Sequence, residues 1–247
     1  MEGSADDSLF GQRAQHIGEA IILIVVAYIC ASLAISLLDP LVERLAATVD
    51  GTNVTLIVQT VVQFTAMMAV VVWYDQFLDT DSLLPIRLPS GRVAGLIVGG
   101  TVLLLGCQYV INQLLQLAGF APGANQAVLA GAGDPTYFLV MIPVSLLFVG
   151  PAEELLFRGA VQGRLRQSWG VWPAIVAATV LFGIVHIPAI TGGFGAQLSY
   201  ALLVGVLGLL LGYLYEYTQN ILVPSLIHGA YNATLFGLLY LFEIGAL

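Results

Sequence analysis

The clearest pattern along the chain is the alternation of long apolar runs with short polar segments. Each run approaches the roughly 20 mostly apolar residues that a helix needs to cross a bilayer. Seven stretches qualify, and they predict seven membrane spans. These are Ile17–Leu38, Val54–Leu78, Val93–Phe120, Thr136–Phe157, Trp172–Pro188, Ala196–Tyr217 and Ile221–Phe242.

These spans predict an all-α fold, a polytopic transmembrane helix bundle of about seven to eight spans. We expect the fourth span to continue as one helix to about Ser168 and the short fifth span to end irregularly at Pro188. Residues 1–16 predict a polar N-terminal tail, and residues 17–247 a single membrane domain. The first apolar run is longer than the core of a signal peptide, so we expect an anchor there.

Composition agrees with a membrane protein and excludes other classes. The chain is 59% hydrophobic and 9% charged, whereas a soluble domain is about 25% charged. The net charge of -8 argues against nucleic acid as a partner. Two cysteines, Cys30 and Cys107, lie in apolar runs and have neither metal-site spacing nor a disulfide pattern.

The arginines predict the orientation, because cytoplasmic loops carry an excess of positive charge. With the N-terminus in the cytoplasm, only Arg44 falls outside, and five arginines fall inside. Those five are Arg13, Arg87, Arg92, Arg164 and Arg166. The sequence therefore predicts an integral protein of the cell membrane with a cytoplasmic N-terminus.

Three clusters of polar residues interrupt the later spans, and the first comprises Glu153, Glu154 and Arg158. An ionisable residue in a span costs about 2.5–3.5 kcal/mol on insertion scales and is a functional candidate. Glu154 and Arg158 are four apart with the acid first, which favours pairing on a helix. Glu153 lies about 100° around that helix. The spacing predicts one neutralised carboxylate and one left over for use as a general base. The alternative is a pair of interfacial acids.

The other two clusters each place a histidine four residues from a second side chain on the same helix face. Phe182 and His186 form one, and taken alone His186 is better explained as a hydrogen-bonded core residue. His228 and Asn232 form the other, and they fit either two oxyanion donors or interhelical hydrogen bonds. Together the clusters supply a base, two histidines and an amide, enough for peptide hydrolysis by activated water.

The three motifs, in this order, resemble the signatures of the CPBP family, the CAAX proteases and bacteriocin-processing enzymes that are also called the Abi domain. The resemblance implies a protease core at about residues 136–243 and an intramembrane endopeptidase of the type II CAAX prenyl endopeptidase class. Such enzymes remove the last three residues after a prenylated cysteine. The motifs read Glu153-Glu154-x-x-x-Arg158, Phe182-x-x-x-His186 and His228-x-x-x-Asn232.

The resemblance also implies a role for each motif residue. Glu153 would activate water with the help of His186, while His228 and Asn232 would hold the oxyanion. The supporting residues would be Glu154, Arg158 and Phe182.

Two alternatives stay open at the level of sequence. No cofactor is expected, but Glu153, His186 and His228 are residue types that ligate Zn²⁺, so a zinc hydrolase is one alternative. The other is a non-catalytic transporter or scaffold that uses these residues as a proton or ion relay. The expected partners are the lipid bilayer and a peptide or prenylated protein substrate, and the oligomeric state is open.

The depths of the motif residues constrain how a common site can form. Counting 1.5 Å per residue from the cytoplasmic side puts His186 about 21 Å deep, below His228 and Asn232. A shared site needs the fourth helix to run on toward Ser168, or the fifth to begin outside the membrane core. We expect both in part, with the site in a cytoplasm-facing cavity.

Overall fold

The computed structural model describes residues 3–47, 53–77, 84–87 and 91–247. Within these ranges the chain forms eight helices, and the extended backbone there is limited to one isolated bridge between Asn125 and Ile190. The helices are α1 (Gly3–Ala46), α2 (Val54–Phe77), α3 (Gly91–Leu117), α4 (Gln126–Ala130), α5 (Pro135–Trp169), α6 (Val171–His186), α7 (Phe194–Thr218) and α8 (Leu222–Glu243).

All helices except the short α4 are long and apolar enough to cross a membrane. The predicted all-α, polytopic bundle is therefore confirmed, and most span boundaries differ from the prediction by only a few residues. Leu78, the predicted end of the second span, lies outside the described residues. Residues 3–16 of the predicted polar tail are helical and run without a break into the first span.

Helix α5 is the predicted long fourth helix, and it reaches Trp169. Two of its segments, Ser145–Val149 and Leu155–Gln162, are wound as wider π-helix. Pro151 has no N–H to bond the carbonyl four residues earlier, which accounts for widening in the first segment. The two glutamates lie between these wide turns, so the irregular winding determines where their side chains point.

Successive membrane-spanning helices run in opposite directions. The polar side chains at the two ends of the bundle differ. At the end where α1 begins, Arg13 Nε donates to the Ser168 carbonyl and Arg166 pairs with Glu216 at 3.2 Å. We call this the arginine end, defined by Arg13, Arg87, Arg164 and Arg166. At the opposite end, Asn53 donates to Asp134.

The backbones of α5 and α8 touch at two glycines. A Cβ placed on Gly150 would lie 2.6 Å from the Gly229 nitrogen, and one on Gly229 would lie 2.9 Å from the Ser145 carbonyl oxygen. Such distances are too short for any side chain at either position. Because His228 is the neighbour of Gly229, this contact places its ring beside the glutamates one turn beyond Gly150.

We expect Gly229→Ala to destabilise the protein by at least the 1–3 kcal/mol or so that overpacking costs, since the added methyl group meets backbone that cannot rotate away. Gly237→Ala on the same helix is the matched control, because its Cβ would meet Ile142 at an ordinary 3.8 Å. Thermal unfolding of the two variants in detergent measures the difference. Equal stability of the two would contradict direct backbone packing at Gly229.

Candidate active site

Three helices bring one glutamate and two histidines together. Glu153 comes from α5, His186 is the last residue of α6, and His228 lies in the second turn of α8. His186 Nε2 lies 3.7 Å from Glu153 Oε1, and His228 Nε2 lies 3.5 Å from Glu153 Oε2. The carboxylate therefore stands between two imidazole rings. The α-helical part of α6 stops at His186, and a 3₁₀ turn follows over Ile187–Ala189, which is the irregular end expected for the fifth span.

Glu154 lies behind this group and is completely buried. Its Oε1 accepts a hydrogen bond from His228 Nδ1 at 2.8 Å, while its Oε2 forms an ion pair with Arg158 Nε at 3.2 Å. The predicted Glu154–Arg158 pair is thus present. Its bond to His228 was not predicted, since residues 74 positions apart give no spacing signal. Among the described residues, Glu153 has no arginine partner, as its position on the helix predicted.

Phe182 supports both histidines. Its carbonyl accepts a hydrogen bond from His186 Nδ1 at 2.7 Å. Its ring packs edge-on against the His186 and His228 rings, with centroids 4.5 and 6.0 Å away. The Arg158 guanidinium carbon lies 4.8 Å from the centre of the same ring, within the range of a cation–π contact. The second motif therefore packs between the arginine and the imidazoles.

A cavity of about 360 Å³ adjoins the site. Glu153, His186, His228 and Asn232 all line it, so every predicted catalytic residue borders one space. The supporting residues Glu154 and Arg158 do not line it, and they act on the site from behind. The lining is mostly apolar, with a few polar groups, as is usual for a ligand site.

The cavity lining also includes polar residues that the sequence did not single out, among them Asn125 and Tyr200. Asn125 precedes the short α4, and Tyr200 lies near the start of α7. A lone tyrosine in an apolar span is ordinary, and Asn125 falls in a Gly- and Pro-containing loop. No short-range pattern could have linked the two to the motifs.

The donor atoms also bear on the zinc alternative. Both histidines turn Nε2 toward Glu153, and Glu154 behind His228 is the kind of outer partner that zinc-ligating histidines have. Across the described ranges, however, no three His, Cys, Asp or Glu side chains are arranged to hold a metal ion. The residue types fit zinc, and their arrangement in this structure does not.

The cavity lies around the middle of the bundle, because Glu153 is at the middle of α5 and the lining also includes Leu211 of α7 and His228 of α8, on the side of the arginine end. Its lining reaches Val128 in α4, Ala189 after α6 and Leu239 in the last part of α8, all toward the opposite end. The N-terminus, at Gly3 of α1, begins at the arginine end. The cytoplasmic N-terminus and the cytoplasm-facing site therefore both stay predictions.

Replacing Arg158 by methionine should lower the free energy of unfolding by about 3–5 kcal/mol, because Glu154 would lose its counter-charge in a fully buried place. Combining it with Glu154→Gln should recover part of the loss. Exposed Arg44→Met is the control, with an expected effect within about 0.5 kcal/mol. Denaturation in detergent measures the stability of all three variants, and a stable Arg158→Met variant would show that the buried pair is dispensable.

Comparison with known proteins relates this site to a family. Residues 135–234, which contain all three motifs, match the family model described as type II CAAX prenyl endopeptidase, Rce1-like. The "Putative membrane peptidase YdiL" of Bacillus subtilis (strain 168) is 36% identical over 90 residues. That alignment covers 36% of this chain and 33% of the relative, so the chain matches about a third of its length. No solved structure matches the chain significantly.

The family match coincides with the helices that form the candidate site, α5 to α8, and begins at the first residue of α5. The described residues form seven helices that are long and apolar enough to cross a membrane, so the chain is an integral membrane protein. The resemblance drawn from the three motifs is thereby confirmed, since residues 135–234 match the Rce1-like family model.

Proposed function

We propose that the protein is an intramembrane endopeptidase in which Glu153 activates water for attack on a peptide bond. The observation that carries this proposal is the position of the Glu153 carboxylate, at a cavity and between two imidazole Nε2 atoms at 3.5 and 3.7 Å. Glu153 has no arginine partner, so its oxygens are available to take a proton. A base within hydrogen-bond reach of a bound water is the first requirement of such chemistry.

His186 assists by orienting the water. Its Nδ1 must carry a proton, because the Phe182 carbonyl that it contacts can only accept. In the neutral ring, Nε2 is then an acceptor that faces the Glu153 carboxylate. Two acceptors do not bond each other, but a water between them can donate one proton to each. That arrangement directs an oxygen lone pair toward a substrate carbonyl.

His228 stabilises negative charge. The buried group holds two carboxylates and one guanidinium, and buried charges are least costly when they balance. An imidazolium at His228 provides the balance, donating Nδ1–H to Glu154 and pointing Nε2–H toward Glu153. When Glu153 takes the proton from water, it becomes neutral, and the Nε2–H can donate to the oxyanion instead. Asn232, one turn further on α8, supplies the second donor.

Glu153 both takes up and returns the transferred proton. The water loses one proton to Glu153, and the hydroxide oxygen forms a bond to the carbonyl carbon. Collapse of the intermediate breaks the carbon–nitrogen bond, and Glu153 returns the proton to the leaving amine nitrogen. No covalent bond between enzyme and substrate is needed.

For the substrate we propose a peptide held in the membrane, with the C-terminal tripeptide of a prenylated CAAX protein as the specific candidate. The family match and the mostly apolar cavity lining support this choice. The competing function is a transporter or scaffold in which the same residues relay protons. Peptide release distinguishes the two functions directly.

Glu153→Gln should reduce peptide cleavage by roughly 10²- to 10⁴-fold, the usual contribution of a general base, because the amide cannot take a proton. Release of the tripeptide from a farnesylated CAAX peptide, and of fragments from its unprenylated counterpart, can be followed by mass spectrometry. Glu243→Gln is the matched control, since its side chain accepts a bond from the Gly133 N–H at the end of α8 and does not line the cavity.

Two results would contradict the proposal. If the purified protein cleaves neither peptide, the protease function fails and the relay function gains support. If a chelator abolishes cleavage and Zn²⁺ restores it, the metal-free role of Glu153 fails. In that case Glu153, His186 and His228 would be the ligands to test.

For the orientation we propose that the arginine end is cytoplasmic, following the positive-inside rule. Arg13, Arg87, Arg164 and Arg166 share that end, and Arg44 lies at the other end of α1. We propose in addition that the cavity is reached from this cytoplasmic side. A CAAX protein is presented from the cytoplasm, so the orientation also bears on the substrate.

Cysteine labelling tests this orientation. In a variant without Cys30 and Cys107, Gln167→Cys at the arginine end should resist a membrane-impermeant thiol reagent in intact cells. Ala246→Cys at the opposite end should react. The reverse pattern would place the arginine end outside and would contradict the proposed orientation.

A further inference from the structure

Asn125 and Tyr200 form a polar pair in the cavity that the proposed hydrolytic steps do not use. Asn125 Nδ2 donates to the Tyr200 hydroxyl oxygen at 3.2 Å. Both residues line the same cavity as Glu153 and both histidines. Neither belongs to the three motifs, and Asn125 lies outside the matched family region.

The loop carrying Asn125 is attached to the segment that follows His186. Asn125 forms an antiparallel bridge with Ile190, and the Thr191 N–H donates to the Ala124 carbonyl at 3.0 Å. A Cβ on Gly123 would collide with the Thr191 carbonyl oxygen, so the two segments are packed backbone to backbone. This attachment holds Asn125 in a defined position at the cavity wall.

The orientation of the Asn125 amide follows from helix capping. Asn125 is the N-cap of α4, and its Oδ1 accepts a hydrogen bond from the Ala127 N–H at 2.9 Å. Only an oxygen can accept that bond, so the nitrogen of the amide must be the atom that faces Tyr200.

That orientation determines what the tyrosine can do. An amide nitrogen only donates, so the Tyr200 oxygen is the acceptor in this pair and its own O–H points elsewhere. Among the described residues, Asn125 is the hydrogen-bond partner of the hydroxyl. The Tyr200 proton is thus available to an acceptor that enters the cavity.

We propose that Tyr200 binds the peptide substrate by donating its O–H to a backbone carbonyl, and that Asn125 is the positioning residue that directs this proton into the cavity. The inference rests on the proposed peptidase function. A peptide brings a row of carbonyl acceptors into a mostly apolar cavity, where each needs a donor. Tyr200 supplies one apart from the water-activating group.

Peptide binding can be measured without cleavage in the Glu153→Gln background, by fluorescence anisotropy with a labelled farnesylated CAAX peptide and its unprenylated counterpart. Adding Tyr200→Phe should weaken Kd about tenfold, the value of one hydrogen bond. Tyr213→Phe on the same helix is the matched control, since this tyrosine stacks on Trp172 at the outer surface and should leave Kd unchanged.

Asn125→Asp is the sharper variant. The new carboxylate still caps α4. The atom that faces Tyr200 changes from a donor nitrogen to an acceptor oxygen, so the Tyr200 O–H donates to it rather than into the cavity. We expect the same roughly tenfold weakening, with the Asn125→Asp/Tyr200→Phe double variant no weaker than either single variant. If Asn125 only held the loop in place, the Asn125→Asp variant would bind the peptide with an unchanged Kd. Because this change leaves packing intact, it remains informative even if Tyr200→Phe folds poorly.

The inference and the proposed function fail in different ways. Unchanged Kd in Tyr200→Phe or in Asn125→Asp overturns the inference, whatever the wild-type cleavage rate. If Kd weakens as expected but the wild-type protein cleaves no peptide, the cavity binds peptides and the protease function is wrong.

Discussion

The geometry of the site depends on the fully buried carboxylate of Glu154. A lone charge in the interior of a membrane bundle is costly, so this group must be contacted on both oxygens. Arg158 meets one oxygen from the same helix, and His228 meets the other from α8. The second contact fixes the His228 ring, whose far nitrogen then faces Glu153. The neighbouring acid thereby becomes available for chemistry because Glu154 is neutralised.

The fold meets this requirement through close helix packing. Gly150 and Gly229 let the backbones of α5 and α8 touch, and the π-helical winding of α5 points two consecutive glutamates in different directions. On α6, the Phe182 carbonyl fixes one nitrogen of His186, and its ring fills the space between Arg158 and both imidazoles. The polar site is thus built from local contacts that exclude lipid and hold each ring in place.

The sequence predicted the spans well because hydrophobicity over 20 residues is a strong and purely local signal. It also separated Glu153 from Glu154, since a rotation of about 100° per residue lets only one of them face Arg158. The bridge from His228 to Glu154, the glycine contact and the Asn125–Tyr200 pair could not be predicted. Each depends on which helices are neighbours, and neighbours are set by packing across long stretches of sequence.

In the proposed mechanism, Glu153 and His186 come from different helices and act on one water as a unit. When two residues act as a unit, either substitution alone removes their joint contribution to the rate. The rate losses of the two single variants therefore do not multiply in the double variant. The direct test is the peptide cleavage rate of Glu153→Gln, His186→Asn and the double variant, with correct folding checked for each. We expect the double variant to be about as slow as the slower single variant. Losses that multiply would contradict this expectation and would show that the two residues act independently.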